Sequence, residues 1–185
     1  MEISMFQAVL LGLCACLSSM PGLGGTTIGN YTLGRPLVAG LIVGIILGDI
    51  RSGIIIGAAI QVIYIALVTP GGTVSADVRA VSYIGIPLAI CAVNSLGLDP
   101  ATSQAQSMAA ALGAAVGTLG TVLFYGTATM NLIWQHIGWK AVEEGKFHRL
   151  YMVDMGLPWI SHLVCSFLPT VVITMAGAGM VDLMK

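Results

Sequence analysis

Residues 35–77 read RPLVAGLIVGIILGDIRSGIIIGAAIQVIYIALVTPGGTVSAD: two apolar runs, a short charged joint at Asp49–Ser52, and a Pro-Gly-Gly break before Asp77. The first run, Pro36 to Gly48, has thirteen apolar or glycine residues. As a helix that is about 20 Å long, against roughly 30 Å of bilayer hydrocarbon. Such a run either borrows neighbouring residues or enters the membrane and turns back, as the broken helices lining transporter cavities do. The joint is so short that the second run, expected at about Ile54 to Val68, must return antiparallel beside the first. Pro36 stands at a first helical position, where its missing N–H costs nothing.

Composition agrees with a membrane class. Of 185 residues 57% are hydrophobic and 8% charged, with mean hydropathy +0.95, whereas soluble domains carry about 25% charged residues. The net charge of −1 leaves no basic footprint for nucleic acid. Glycine, 24 residues, is abundant. Between helices in lipid, small residues are the principal means of close approach, and Gly40, Gly44 and Gly48 recur every four residues, as Gly113 and Gly117 do. Such seams serve helix packing first and a substrate path second. Cys14, Cys16, Cys91 and Cys165 sit in apolar sequence without metal-ligand spacing and read as buried small hydrophobes. Met5 to Leu17 lacks the basic flank of a signal peptide.

The expected fold is an all-α integral membrane protein, a multi-helix bundle with short broken or re-entrant helical hairpins, in one domain over residues 1–185. A first helix is expected from Ser4 to Met20, followed by a polar, uncharged stretch from Gly22 to Gly34. Val81 to Leu96 is another short apolar run, interrupted by Pro87. Ala105 to Gln135 is the longest helix, long enough to span with tilt, and a last helix covers Leu157 to Val181. Between them, His136 to Asp154 is the most soluble part of the chain, with Lys140, Lys146 and Arg149 among its residues. It is expected to be a cytoplasmic loop by the positive-inside rule, flanked by Trp134, Tyr151 and Trp159 at the level of an aromatic belt.

No P-loop, nucleophile elbow, HExxH or strand-linked GxGxxG occurs, so enzymatic chemistry has no recognisable centre. Polar side chains inside apolar runs are costly in lipid and become binding candidates. Gln61 is the clearest; Tyr64 follows on the same helix side, and Thr69 lies about 80° round from Gln61. This stripe of amide, ring and hydroxyl suits a sugar, with Tyr64 as a stacking face, or else an interhelical hydrogen bond of about 1 kcal/mol. Asp77, after the glycine break, is a candidate for two sugar hydroxyls, or a solvent-exposed loop carboxylate; Arg79 is expected on the opposite side of an extended segment. Asn94 is a further polar residue in an apolar run, and Asp49 with Arg51 reads as a structural joint. His136, His148 and His162 could suggest phosphoryl relay. The first two fall in the polar loop, and His162 is more readily a hydrogen-bonded structural histidine. No metal or cofactor is expected.

The amino-terminal MEIS, the glycine-rich first loop, and then RPL, GxxLGD, GIIIG and PGGTVSAD in this order and spacing resemble the membrane-spanning IIC subunit of the bacterial phosphotransferase system, mannose/fructose/sorbose class. The resemblance runs from Met1 to Asp182 and is strongest over Arg35 to Asp77. It implies a multi-pass protein of the bacterial inner membrane that forms a sugar path with a IID membrane subunit. The sugar would be phosphorylated from a cytoplasmic IIB histidine charged by IIA, which leaves this chain without catalytic residues; homo-oligomerisation is left open. Gln61 stands where members often carry Glu, which removes a charge but keeps hydrogen bonding. Members are commonly longer, so the chain is expected to stop one or more helices early. The alternatives are therefore a truncated or scaffold subunit that assembles with IID without transporting, and an independent ion- or proton-coupled transporter relying on Asp77 or His162.

Overall fold

A computed structural model describes residues 2–19, 26–65, 67 and 73–183, whose regular structure is helical, with no strand among them. Three helices are short: α1 (Met5–Leu17), α2 (Pro36–Leu47) and α3 (Ile50–Tyr64). Three are long and apolar enough to cross a membrane: α4 (Val78–Ser95), α5 (Ser103–Glu143) and α6 (His148–Gly179). With 12 and 15 residues, α2 and α3 reach only about 18 and 23 Å at 1.5 Å per residue. Neither crosses about 30 Å of hydrocarbon, and together they form the expected re-entrant hairpin.

The hairpin turns on Gly48, whose φ of 78° is left-handed and therefore suits a residue without Cβ. Asp49 then caps α3, its Oδ1 accepting from Ser52 N–H at 3.1 Å. A carboxylate at this position satisfies an orphan donor, so Ile50 to Ser52 are already helical and the joint is tighter than its four expected residues. The two helices touch along glycine. A Cβ on Gly53 would stand against the Gly40 carbonyl and 2.7 Å from Gly44 Cα, and one on Gly57 would meet Pro36 O at 2.6 Å. Gly40 and Gly44 thus make the seam with Gly53 and Gly57, while Gly48 belongs to the turn. At the tip, Asn94 Nδ2 donates to Asp49 Oδ2 at 3.1 Å and Arg51 pairs with Asp99 at 3.0 Å.

Helices α4 and α6 are broken by π turns with a common cause. Val81–Gly85, Met152–Gly156 and Leu163–Phe167 each end two residues before a proline, Pro87, Pro158 and Pro169. Proline removes an N–H, and its ring crowds the carbonyl four residues back; opening the preceding turn relieves the clash and keeps the remaining backbone groups bonded. In α4 the first of these turns presents Ser82 and Tyr83, which donate to Gly34 O at 2.9 Å and Leu33 O at 2.8 Å. That fixes the chain entering α2 against α4.

The core lies between α1, the hairpin and α4, where Leu11, Val43, Ile56, Ile60, Tyr83, Ile86 and Ile90 are fully buried. Helix α5 packs across it through Gly113, whose missing Cβ leaves room for Ile60, and Gly120, which lies against Ala80. Its outward face carries Leu119, Val122 and Leu132, all exposed, as a lipid-facing surface should be. The segment expected to be a polar loop from His136 to Asp154 is largely helix: α5 continues to Glu143, Gly145 ends it with φ 71°, and α6 begins at His148. Trp134 and Ser161 join α5 to α6 by a 2.7 Å hydrogen bond. Ser161→Ala is expected to cost about 1 kcal/mol, the usual worth of such a bond in a membrane bundle, read as a lower Tm in detergent with no change in expression.

Candidate functional site

The open end of the hairpin is where polar side chains converge. Arg35 closes the approach to α2 because Pro36 keeps the residue before it extended. Asp77 begins α4 as its N-cap, accepting from Arg79 N–H at 3.0 Å and Ala80 N–H at 3.4 Å. Its own N–H donates to Gly117 O at 2.8 Å, tying the segment to α5. Between these ends lies a cavity of about 520 Å³, walled by Asn30, Tyr31, Arg35, Val74, Asp77, Arg79 and Phe124 among others. That is within the range of small-molecule sites.

Electrostatically the site is one buried ion pair and one further cation. Arg79 Nε and Nη2 donate to Asp77 Oδ1 and Oδ2, each at 3.0 Å. Both side chains are nearly out of water, 12% and 6% exposed, and this forked geometry is the strong form of a carboxylate–guanidinium contact. Arg79 also stacks over the Phe124 ring at 5.2 Å, and Arg35 over Tyr31 at 5.5 Å. Arg35 Nη1 donates to Tyr64 O at 3.4 Å near the end of α3, where a cation complements the helix dipole. The arrangement offers a ligand free guanidinium donors, remaining acceptor capacity on Asp77 Oδ2, the Asn30 amide and aromatic faces. Neutral polyols need donors, acceptors and an apolar face together.

The candidates from the sequence divide. Asp77 lines the cavity, is 5% exposed and is not the solvent-facing carboxylate of the alternative. The expectation that Arg79 points away from it is overturned, because the cap folds Arg79 back onto Asp77; even an extended backbone places residues i and i+2 on one face. Tyr64 is 4% exposed, beneath the cavity, with its hydroxyl donating to Gly113 O at 3.2 Å; its ring packs the core and offers no open stacking face. Gln61 is half-buried, its Oε1 accepting from Leu37 N–H at 3.5 Å, a long contact that helps cap α2. Asn94 joins Asp49 at the hairpin tip, at the far end of α4, 17 residues from Asp77 and so about 25 Å away. Thr69 lies outside the described residues. His162 is buried, with Nδ1 2.9 Å from Ser19 Oγ.

Sequence reasoning passed over Asn30, Tyr31 and Phe124 as site residues and used Arg35 only as part of a motif. Asn30 and Tyr31 lie in a π turn, Thr26–Leu33, whose uncharged polar composition was the one available signal. Phe124 comes from the middle of α5, and nothing local marks it.

Comparison with known proteins places these features among relatives. A family model described as the sorbose-specific IIC component of the PTS system matches residues 5–185. The sorbose-specific EIIC component of Klebsiella pneumoniae is 26% identical over 184 residues, covering 100% of this chain and 64% of that protein. The mannose-specific EIIC component of Escherichia coli K12 is 32% identical over 145 residues, 78% of this chain and 49% of that protein. The chain therefore spans about half to two thirds of the length of these relatives. Among solved structures, a chain of the mannose transporter ManYZ in complex with microcin E492 superposes with a TM-score of 0.69 at 26% identity, covering 100% of this chain and 71% of that one.

Proposed function

The chain belongs to the family of sorbose-specific IIC components of the phosphotransferase system, and on that footing we propose that it forms the sugar path of a phosphotransferase permease in a bacterial inner membrane. Its substrate is a monosaccharide of the sorbose or mannose type. A IID membrane subunit supplies the other wall of the path, and cytoplasmic IIB and IIA subunits carry the phosphoryl group. The sugar is held where Asp77, Arg79, Arg35 and Asn30 line the cavity, with Tyr31 and Phe124 as aromatic faces.

The observation that carries this reading is the Asp77–Arg79 pair, buried in the wall of a cavity at the open end of a hairpin too short to span. A desolvated, bidentate ion pair has its polar atoms fixed before a ligand arrives, so little ordering is lost on binding. It also rejects sugars that leave its remaining lone pairs and N–H groups unmatched. The hairpin, fastened along glycine, packs as one body against the α4 and α5 residues that hold most of the site.

Labelled-sugar uptake tests the reading in cells that lack their own system and carry this chain with IID, IIB and IIA partners. Uptake is expected to require IIB and to appear as sugar phosphate. Arg35→Gln is expected to raise the apparent KM about tenfold, the loss of roughly 1.4 kcal/mol from a charged hydrogen bond, with the protein still at normal levels in the membrane. Assembly with IID but no uptake of any such sugar would sink the reading.

A further inference from the structure

The turn joining α5 to α6 gathers charge that the sugar cavity does not use. Lys140, Lys146 and Arg149 are three of the chain's seven Lys and Arg residues. With His136 and Glu144 they line a separate open cleft of about 500 Å³, backed by Ile137 and the buried Ala141. Three cations against one carboxylate leave the lining of the cleft net positive. Lys146 is committed to Glu144 at 2.7 Å. Among the described residues, Lys140 and Arg149 make no ion pair. The field in the cleft shows on Glu144, whose carboxyl is held below its usual range by the hydrogen bond and charge of Lys146, with Lys140 and Arg149 adding to it.

The cleft's surroundings say where it sits. One membrane-crossing candidate ends at Glu143 and the next begins at His148, so the turn joins two helices long and apolar enough to cross a bilayer. Ile133, Ile137, Trp139, Phe147 and Tyr151 around it are 55%, 41%, 64%, 62% and 74% exposed. Apolar and aromatic side chains left bare beside basic ones mark the headgroup level of a membrane. Basic clusters just outside membrane helices attract anionic lipids, and a guanidinium fork matches two phosphate oxygens.

We propose that this cleft seats the phosphate of an anionic membrane lipid, with Arg149 and Lys140 as the direct partners of its oxygens. The acyl chains then lie along the apolar surface of Ile133 and Ile137, and Trp139 and Tyr151 flank the glycerol level. A free phosphate shares the headgroup chemistry but gains nothing from that apolar surface.

The test uses the purified full chain in phosphatidylcholine vesicles, with and without phosphatidylglycerol, read by Tm and by native mass spectrometry of retained lipid. Phosphatidylglycerol is expected to raise the Tm and to be retained. In Lys140→Gln/Arg149→Gln retention is expected to fall about twenty-five-fold, about fivefold for each charge removed near an anionic surface; Arg149→Gln alone gives the single step. Both variants are at exposed positions and should match the parent Tm in phosphatidylcholine alone. Equal phosphatidylglycerol retention in the double variant and the parent overturns the proposal. So does a Tm shift of the same size from inorganic phosphate in phosphatidylcholine vesicles, which would make the ligand a soluble anion.

Discussion

Asp77→Ala is expected to abolish the proposed sugar uptake and to destabilise the protein by about 3–5 kcal/mol, because the substitution leaves the Arg79 guanidinium buried without its partner. The same change removes the cap that holds Arg79 N–H and Ala80 N–H at the start of α4, itself worth about 1 kcal/mol. Function and stability are thus lost together in the single variant, and a double variant separates them. Asp77→Leu combined with Arg79→Met removes both charges, and a buried pair replaced by apolar residues of similar volume is often neutral or stabilising. The double variant is therefore expected to regain most of the Tm lost by Asp77→Ala and to regain no uptake. Full uptake in that variant, measured at equal membrane levels, would show that the pair serves the fold alone.

Gly53→Ala is expected to cost as much as the loss of the ion pair in function and about 1–3 kcal/mol in stability. Its new Cβ meets backbone of Gly40 and Gly44, which cannot rotate away as a side chain would, so α2 and α3 must part. The contrast is Gly48→Ala at the tip, where nothing lies within 4 Å of the added Cβ. There the cost is about 1–2 kcal/mol of left-handed backbone strain and the helix seam stays closed. Cross-linking between cysteines placed at Leu37 and Gln61, which touch across the two helices, measures the parting. The yield is expected to fall with Gly53→Ala and to hold with Gly48→Ala. Equal yields in both would remove the seam as the basis of the hairpin.

The hairpin was legible because its signals are local: a run too short to span, Pro36 at a helix start, glycines every four residues and a charged joint. The joint looks four residues long in the sequence because Asp49 reads as part of a charged turn, whereas a carboxylate before a helical run is also a cap. The same oversight hid the end of α5. Polar, charged residues from His136 to Glu143 suggested loop, yet they keep good helix formers, and Gly145 was the stop signal. Prolines mark the three π turns inside α4 and α6, but a single missing N–H does not say whether a helix ends or widens. The neighbouring π turns settle which, and they depend on packing. The candidate site was half legible. Asp77 stands out beside the glycine break, while Tyr31 with Arg35 and, far along the chain, Phe124 reach the cavity from two distant segments that no local pattern links. Tyr64 shows the converse: its spacing from Gln61 was right, but the close approach of α5 at Gly113 takes up its hydroxyl.

Asp77 is bound into this architecture by its backbone N–H to Gly117, its cap on α4 and its fork with Arg79. A residue with that many duties is a poor place for natural variation to alter sugar preference, since most changes would cost the helix before they changed the ligand. A change of ligand preference is therefore expected from substitutions at the less committed walls, Asn30, Tyr31 and Phe124, where a new side chain can reshape the cavity and leave the junction of helices intact.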